Sequence, residues 1–306
     1  MIDAVVVTWN AGEQACACVE HTRDPELVAT IVVVDNASSD GTADAVRAAH
    51  PDVTVIALEQ GVGLARALNL GARLGSAPFV LYLNDDVLAE DGAIRSLLEA
   101  LHARPDAVAA GGRLVNPDRS TQDRYRPRPF PSPATVVARL LGLERLWPRN
   151  RWTGAHLRQP LGDRRTSDVQ QPAGACLLVR RSAVERTGGW DERYWFWYED
   201  VDFSRRLAAG GASLYVPSAT FRHVGGATAR RLSAADGHAR YYHGALRYAG
   251  TWFSGRGRAA VALATLAVSL GRAALRVPFD RREARIYLRS ARSALALLCG
   301  RSITRA

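Results

Sequence analysis

The first half of the chain alternates short, unbroken apolar runs with stretches whose apolar positions recur at helical spacing. The runs are AVVVT (4–8), TIVVVD (30–35), residues 53–58, FVLYL (79–83) and residues 108–112. All but the last are rich in branched or aromatic residues, and turn formers such as NASSDG (36–41) and NDD (84–86) close them; the last, VAAGG, is only a possible strand. Residues 42–49, 63–74 and 91–104 read as helices, and the segment between 8 and 30 as a polar connection. Unbroken apolar strands alternating with helices predict an α/β fold, with a mostly parallel central sheet flanked by helices on both faces.

The pattern then changes. Residues 116–168 are rich in Arg, Pro and Trp, with RPRPFPSP (126–133) and LWPRNRWTG (146–154), and show weak periodicity. They read as a long loop of the kind that usually serves function. Order resumes with a strand within 171–181, helices at 182–187 and 200–209, and a strand at 213–216. About the last 50 residues are helical.

Composition adds boundaries. A chain of 306 residues, 47% hydrophobic and 23% charged, supports a large core and excludes a disordered, collagen-like or disulfide-scaffold protein. All 40 basic residues are arginine, and the net charge is +10. Residues 255–306 hold 11 of the arginines against Asp280 and Glu283, so that segment carries +9 and the remainder +1. Helices rich in Ala, Leu, Val and Arg predict either contact with an anionic membrane surface or a helical bundle with solvated arginines. Nucleic acid is not an expected partner, because no recognised binding motif accompanies the charge. Four cysteines without a metal-ligand spacing point to a reduced, cytoplasmic chain. The longest uncharged apolar stretch, 259–270, is 12 residues and too short to span a bilayer.

Chemistry concentrates at strand ends, where ligands of open α/β sheets bind. Asp35 closes one apolar run and Asp85-Asp86 follow another. Asp35 could accept hydrogen bonds from a base or ribose, and Asp86 could bind a divalent cation bridging a diphosphate; turn and helix-cap roles remain open for Asp35 and Asp85. GVGLAR (61–66) opens a helix but lacks the third glycine of a dinucleotide fingerprint, which argues against a nicotinamide-dependent oxidoreductase and leaves Arg66 as a candidate phosphate ligand. Gly188–Gly211 is the densest segment. Trp195, Phe196, Trp197 and Tyr198 are consecutive, so they cannot all face one core, and aromatic faces suit sugar C–H surfaces. The acids Glu199, Asp200 and Asp202 follow; one in partial burial would serve as a general base, and the same acids would favour a helix N-terminus. His223, in FRHVGG after a strand, is a candidate ligand or a structural histidine.

In this order, VVVTWN (5–10), VVVDNASSDGT (32–42), LNDDV (83–87), PAGACLLVRRSAVERTGGWDERYWFWYEDVDFSRRLAAGG (172–211) and HVGG (223–226) resemble the family 2 glycosyltransferases of GT-A fold. The resemblance runs from Val5 to about Tyr248. It implies a catalytic domain over 1–250, with a nucleotide-binding half at 1–115 and an acceptor-binding half at 116–250, followed by a helical, Arg-rich extension at 251–306. It implies that Thr8, Asn10 and Asp35 contact the nucleoside and that Asp85 lies near the ribose. Asp86 would bind Mg²⁺ or Mn²⁺, with His223 a further metal or pyrophosphate ligand. Asp200 would be the catalytic base of an inverting transfer, and Trp195, Trp197 and Glu199 would line the sugar and acceptor site. Asn84 replaces the first acid of the family's DXD-like element, and Gly61 stands where the helix-opening motif usually has Asn. GGWDERYWFWYEDVD with LWPRNRWTG most resembles bacterial rhamnosyltransferases acting on polyprenyl-diphosphate-linked sugars. That implies a nucleotide-sugar donor, best guessed as dTDP-rhamnose, a lipid-linked acceptor in cell-wall or polysaccharide synthesis, and a peripheral position on the inner face of the cell membrane. A different donor with a non-lipid acceptor, or a non-catalytic nucleotide-sugar-binding protein, are the rival readings.

Overall fold

Strand residues sort alternately to two cores. Ala4, Val6, Val33, Leu81 and Leu83 enter one buried cluster, while Val5, Val7, Val32, Val34, Val80 and Tyr82 enter another. Since successive side chains point to opposite faces, such strands must be apolar throughout, as the runs are. The computed structural model describes residues 1–147, 152, 165–225 and 231–303. It forms two units: Met1–Pro129, Gln159–Glu192 and Asp200–Ala227 in the first, and Phe130–Arg158, Arg193–Glu199 and Thr228–Ala306 in the second.

Among the described residues the first unit has nine strands: β1 (Ile2–Thr8), β2 (Val28–Asp35), β3 (Thr54–Ala57), β4 (Phe79–Asn84), β5 (Val87–Ala89), β6 (Ala107–Val115), β7 (Ser167–Val169), β8 (Cys176–Arg180) and β9 (Ala212–His223). Their order is β3-β2-β1-β4-β8-β6-β9-β5, with β7 beside β9. β3, β2, β1 and β4 run parallel. β8 lies antiparallel between β4 and β6, and β6 runs parallel to β9. The consequence is geometric. Leu83 pairs with Cys176 and Val87 with His223. The carboxyl ends of β1, β2, β4 and β9 and the amino end of β8 therefore meet at one edge of the sheet.

Helices α1 (Gly12–Thr22), α2 (Thr42–Ala49), α3 (Leu64–Ala72) and α4 (Ala93–Ala103) cover this sheet. α1, α2 and α4 supply Cys18, Val46 and Leu97 to the first core, while α3 supplies Ala65 and Leu68 to the second. α5 (Pro133–Leu140) and α6 (Leu143–Leu146) belong to the second unit, and α7 (Arg181–Thr187) to the first. α8 (Glu199–Leu207) begins at the boundary, and its Phe203 stacks on Trp190 at 4.3 Å in the first unit's second core. α9 (Ala234–Trp252), α10 (Gly255–Arg276) and α11 (Arg281–Leu298) complete the second unit.

Three expectations change. The polar connection after β1 is helix α1: its buried stripe is Ala15, Cys18, Val19 and Thr22, helical in spacing but made of small or polar residues. The long loop at 116–168 holds a 3₁₀ turn at Asp123–Tyr125 and helices α5 and α6. Pro133 occupies the first turn of α5 and the Ser132 hydroxyl accepts from the Thr135 amide at 3.2 Å, so part of the proline-rich string is a helix start. Most of LWPRNRWTG lies outside the described residues, as does the last glycine of HVGG. The 12-residue apolar run sits inside α10, whose 22 residues include a window of mean hydropathy 1.4, long and apolar enough to cross a membrane by length and composition. The helix continues past the uncharged run through Gly271 and Arg272, so its length exceeds that of the run.

Candidate functional site

The edge where strand ends converge gathers most of the predicted residues. β1 delivers Thr8, whose hydroxyl donates to the Asp85 carboxylate at 2.9 Å. Both are buried, which fixes the turn after β4 to the central strand. β2 delivers Asp35. One of its oxygens accepts from the Ser38 amide at 3.0 Å and from the Ser38 hydroxyl, while the other has no protein donor among the described residues. Asp35 thus closes a turn and still presents an acceptor. Asn10 has a left-handed backbone (φ 50°), and its side-chain oxygen accepts from the Ser39 amide at 2.8 Å. Its own amide donates to Ser38 at 2.7 Å, so Asn10 braces the loop that Asp35 closes.

Asp86 and His223 meet through the pairing of β5 with β9. His223 Nε2 lies 3.3 Å from Asp86 Oδ1, and both residues are buried. The other ring nitrogen faces Gln122. Gln122 Nε2 donates to the His223 carbonyl at 2.6 Å and to Asn116 Oδ1 at 3.0 Å, so its Oε1, 2.8 Å from Nδ1, is the acceptor. Nδ1 is therefore a donor, and Nε2 faces the Asp86 carboxylate. Tyr125 closes the ring's side edge-on at 4.5 Å. An imidazole nitrogen and a carboxylate oxygen set side by side are a donor pair that a divalent cation takes. Two neighbouring ligands of an octahedral ion at about 2.1 Å lie about 3 Å apart, close to the observed separation. The pair therefore fits a Mg²⁺ or Mn²⁺ ion completed by phosphate oxygens. Among the described residues no group of three or more His, Cys, Asp or Glu side chains forms a closed metal site. Beneath this turn the buried Cys18 thiol lies 3.4 Å from the Asn84 carbonyl, held protonated by burial with the Asp85 and Asp86 charges adding.

Asp200 reaches the same edge from α8. Its Oδ2 accepts from Gln171 Nε2 at 3.1 Å and its Oδ1 from the Val201 amide at 2.8 Å. Gly174, just before β8, makes room for it: a Cβ there would lie 2.6 Å from Asp200 Cβ. Burial pushes this carboxyl above the usual carboxylate range, outweighing the Val201 amide, the Arg128 charge and the Gln171 amide. Of the three candidate acids, Asp202 is tied to Arg206 at 2.8 Å within the helix, a structural pair. Glu199 is buried and belongs to the second unit, with Trp195 and Trp197. In that unit the Arg240 guanidinium lies 5.2 Å from the Trp195 ring. Trp197 and Tyr198 both have left-handed backbones (φ 69° and 70°), and the Tyr198 and Tyr241 hydroxyls are 3.2 Å apart. Gly244 admits this corner, since a Cβ there would lie 2.6 Å from the Trp197 carbonyl oxygen. Arg66, in the first turn of α3, lies 3.8 Å from Glu192.

Gln122, Gln171, Gly174 and Ser38 were not among the predicted site residues. Ser38 and Gly174 lie within quoted motifs, NASSDG and PAGACLLV, while the glutamines act across the fold.

Comparison with known proteins places these features in context. The model of one family, described as Glycosyl transferase family 2, matches residues 3–188. The N-acetylglucosaminyl-diphospho-decaprenol L-rhamnosyltransferase of Mycobacterium tuberculosis is 34% identical over 238 residues, covering 73% of this chain and 76% of that protein. The pre-mycofactocin glycosyltransferase of the same organism is 30% identical over 200 residues, 63% of this chain and 37% of that one. Among solved structures, the mannosyltransferase PcManGT from Pyrobaculum calidifontis, in complex with GDP-Man and Mn²⁺, superposes with a TM-score of 0.53 at 17% identity, over 96% of this chain and 86% of its own. S. aureus TarS 1–349 gives 0.51 at 11% identity, over 99% and 93%. These two likenesses support the GT-A fold.

Proposed function

We propose, from the premise that the chain belongs to glycosyl transferase family 2, that it moves L-rhamnose from dTDP-rhamnose to a saccharide carried on a polyprenyl diphosphate, with inversion at the anomeric carbon. The family makes it a glycosyltransferase; the donor, acceptor and stereochemistry are our reading, supported by the 34% identical relative's name. The observation that carries the mechanism is the meeting of the Asp86–His223 pair and Asp200 at one sheet edge.

Asp35 accepts from the nucleoside, and the Thr8–Asp85 pair holds the floor beneath the ribose. Asp86 and His223 would hold Mg²⁺ or Mn²⁺, which when bound neutralises the departing diphosphate. Asp200 takes the proton of the acceptor hydroxyl while that oxygen bonds to the anomeric carbon and the nucleoside diphosphate leaves with the bonding electrons. Burial makes Asp200 a stronger base than an exposed aspartate, and Gln171 holds the carboxylate in register. Trp195, Trp197 and Glu199 offer the aromatic faces and carboxylate that suit a sugar acceptor, and Arg66 adds a cation for phosphate. The enzyme works at the cytoplasmic membrane face, in cell-wall or polysaccharide synthesis.

Thermal-shift titration tests the donor. Mn²⁺-dependent stabilisation by dTDP and dTDP-rhamnose, above UDP and GDP compounds, is expected, since ligands of the native state raise its melting temperature. Preference for UDP or GDP species overturns the donor; no response to any nucleotide overturns the site.

A further inference from the structure

We infer that the outer surface of the α10–α11 hairpin is a docking surface for an anionic lipid bilayer, with the turn between the helices as its inserted tip. The second unit buries one stripe of α10, Val261, Ala262, Thr265, Ser269 and Ala273, and leaves the opposite stripe outside. That outer stripe is apolar: Ala260, Leu263, Ala267, Leu270 and Ala274 are exposed. It continues through the end of α10, where Leu275 is 73% exposed, into the turn, where Phe279 is 85% exposed and Val277 half-exposed. Apolar side chains so placed gain nothing from the fold, and burying them elsewhere is favourable.

The neighbouring helix supplies the opposite character. On α11 the exposed positions are Arg281, Arg282, Arg285, Arg289 and Arg292, with Leu288 and Leu295 among them. None of the five arginines makes an ion pair among the described residues. The two nearby acids are engaged: Asp280 caps α11 through the amides of Arg282 and Glu283 at 2.8 and 3.0 Å, and Glu283 pairs with Arg276 at 3.1 Å. The hairpin therefore couples an apolar stripe and tip to uncompensated positive charge. This combination matches a bilayer of anionic lipids, whose headgroups take guanidinium groups while the acyl boundary takes Leu and Phe.

The same facts argue against crossing the membrane. A spanning α10 would leave its buried stripe, which holds Thr265 and Ser269, without its partners in the second unit. Docking uses only what is already outside. The purpose of this surface rests on the lipid-linked acceptor reading, but its existence does not, and the test uses neither donor nor acceptor.

Flotation of the full chain with vesicles of phosphatidylcholine containing phosphatidylglycerol is the measurement, with pure phosphatidylcholine as comparison and sedimentation velocity without lipid alongside. The protein is expected to float with the anionic vesicles and to be released by salt. Arg285→Gln, Arg289→Gln and Arg292→Gln together should weaken partitioning about a hundredfold, and Leu275→Asp with Phe279→Asp should abolish it. All five positions are exposed, so unchanged melting and unchanged nucleotide binding are expected in both variants. Absence of flotation, or equal binding to neutral vesicles, overturns the assignment. So does a concentration-dependent dimer that the Asp variant converts to a monomer, which would make a second copy the occupant. Failure of vesicle binding with retained nucleotide binding would leave the transferase reading standing.

Discussion

Replacing Gln122 by leucine tests the metal-side geometry away from the reacting atoms. The Gln122 side chain makes three hydrogen bonds, to His223 Nδ1 at 2.8 Å, to the His223 carbonyl at 2.6 Å and to Asn116 at 3.0 Å. Leucine keeps most of the volume and removes all three, leaving the His223 Nδ1–H and carbonyl without that partner in a buried setting. Each such group costs about 1–3 kcal/mol, so the variant should lose about 2–6 kcal/mol of stability. It should still fold, because the carbonyl belongs to a strand already paired on two sides. The ring then loses the contact that keeps its proton on Nδ1. Removing such an orienting partner typically lowers metal affinity about 10–100-fold. Isothermal titration of dTDP with and without Mn²⁺ reads this directly. The metal-dependent part of the affinity should fall by that factor, while the metal-independent part, which rests on Asp35 and the β2 turn, should not move. A folded Gln122→Leu protein with an unchanged Mn²⁺ effect would refute the orienting role and the Asp86–His223 site with it.

Other consequences are as direct. Asp200→Asn should abolish transfer while leaving nucleotide binding intact; full turnover by the variant would remove Asp200 as the base. Because burial raises its folded-state pKa, the ionised carboxylate destabilises the fold, a cost that appears as pH rises through the raised pKa. Melting of Asp200→Asn should therefore match the parent below about pH 3.9 and exceed it at neutral pH. Gly174→Ala places a Cβ 2.6 Å from that of Asp200, so kcat should fall with little change in donor binding; an unaltered kcat would show that this approach does not matter. Arg181 donates to Asp3 at 2.6 Å and to the Ala72 and Ala77 carbonyls at 3.0 and 2.6 Å, so Arg181→Met strands a buried carboxylate and should cost about 3–5 kcal/mol by chemical denaturation.

The strands were legible in the sequence because every one near the centre of the sheet is buried on both faces, and β1 is buried at all seven positions. Helix α1 was not, since its buried stripe, Ala15, Cys18, Val19 and Thr22, has only one larger aliphatic residue and is interleaved with Glu13, Gln14, Glu20 and His21. β5 and β7, three residues each, are too short to show a period. The strand-end acids stood out because Asp35, Asp85 and Asp86 follow apolar runs directly. Their supports did not. Gln122 and His223 are 101 residues apart, and Gln171 and Asp200 are 29 apart. Only the order of the strands brings them together, and no local pattern encodes that order. The acids of α8 were visible as a group, and the family resemblance, not the local pattern, singled out Asp200; the structure adds the Asp202–Arg206 pair and the room left by Gly174.

The central claim is acceptor-dependent, inverting transfer from a nucleotide-sugar. The most direct measurement is release of dTDP from dTDP-β-L-rhamnose by the purified chain with Mn²⁺ and a polyprenyl-diphosphate-linked N-acetylglucosamine, with the product's anomeric configuration read by NMR. The account predicts release that requires the acceptor and gives the opposite anomer, and that Asp200→Asn eliminates. Release without acceptor, retention of configuration, or turnover by Asp200→Asn would contradict it.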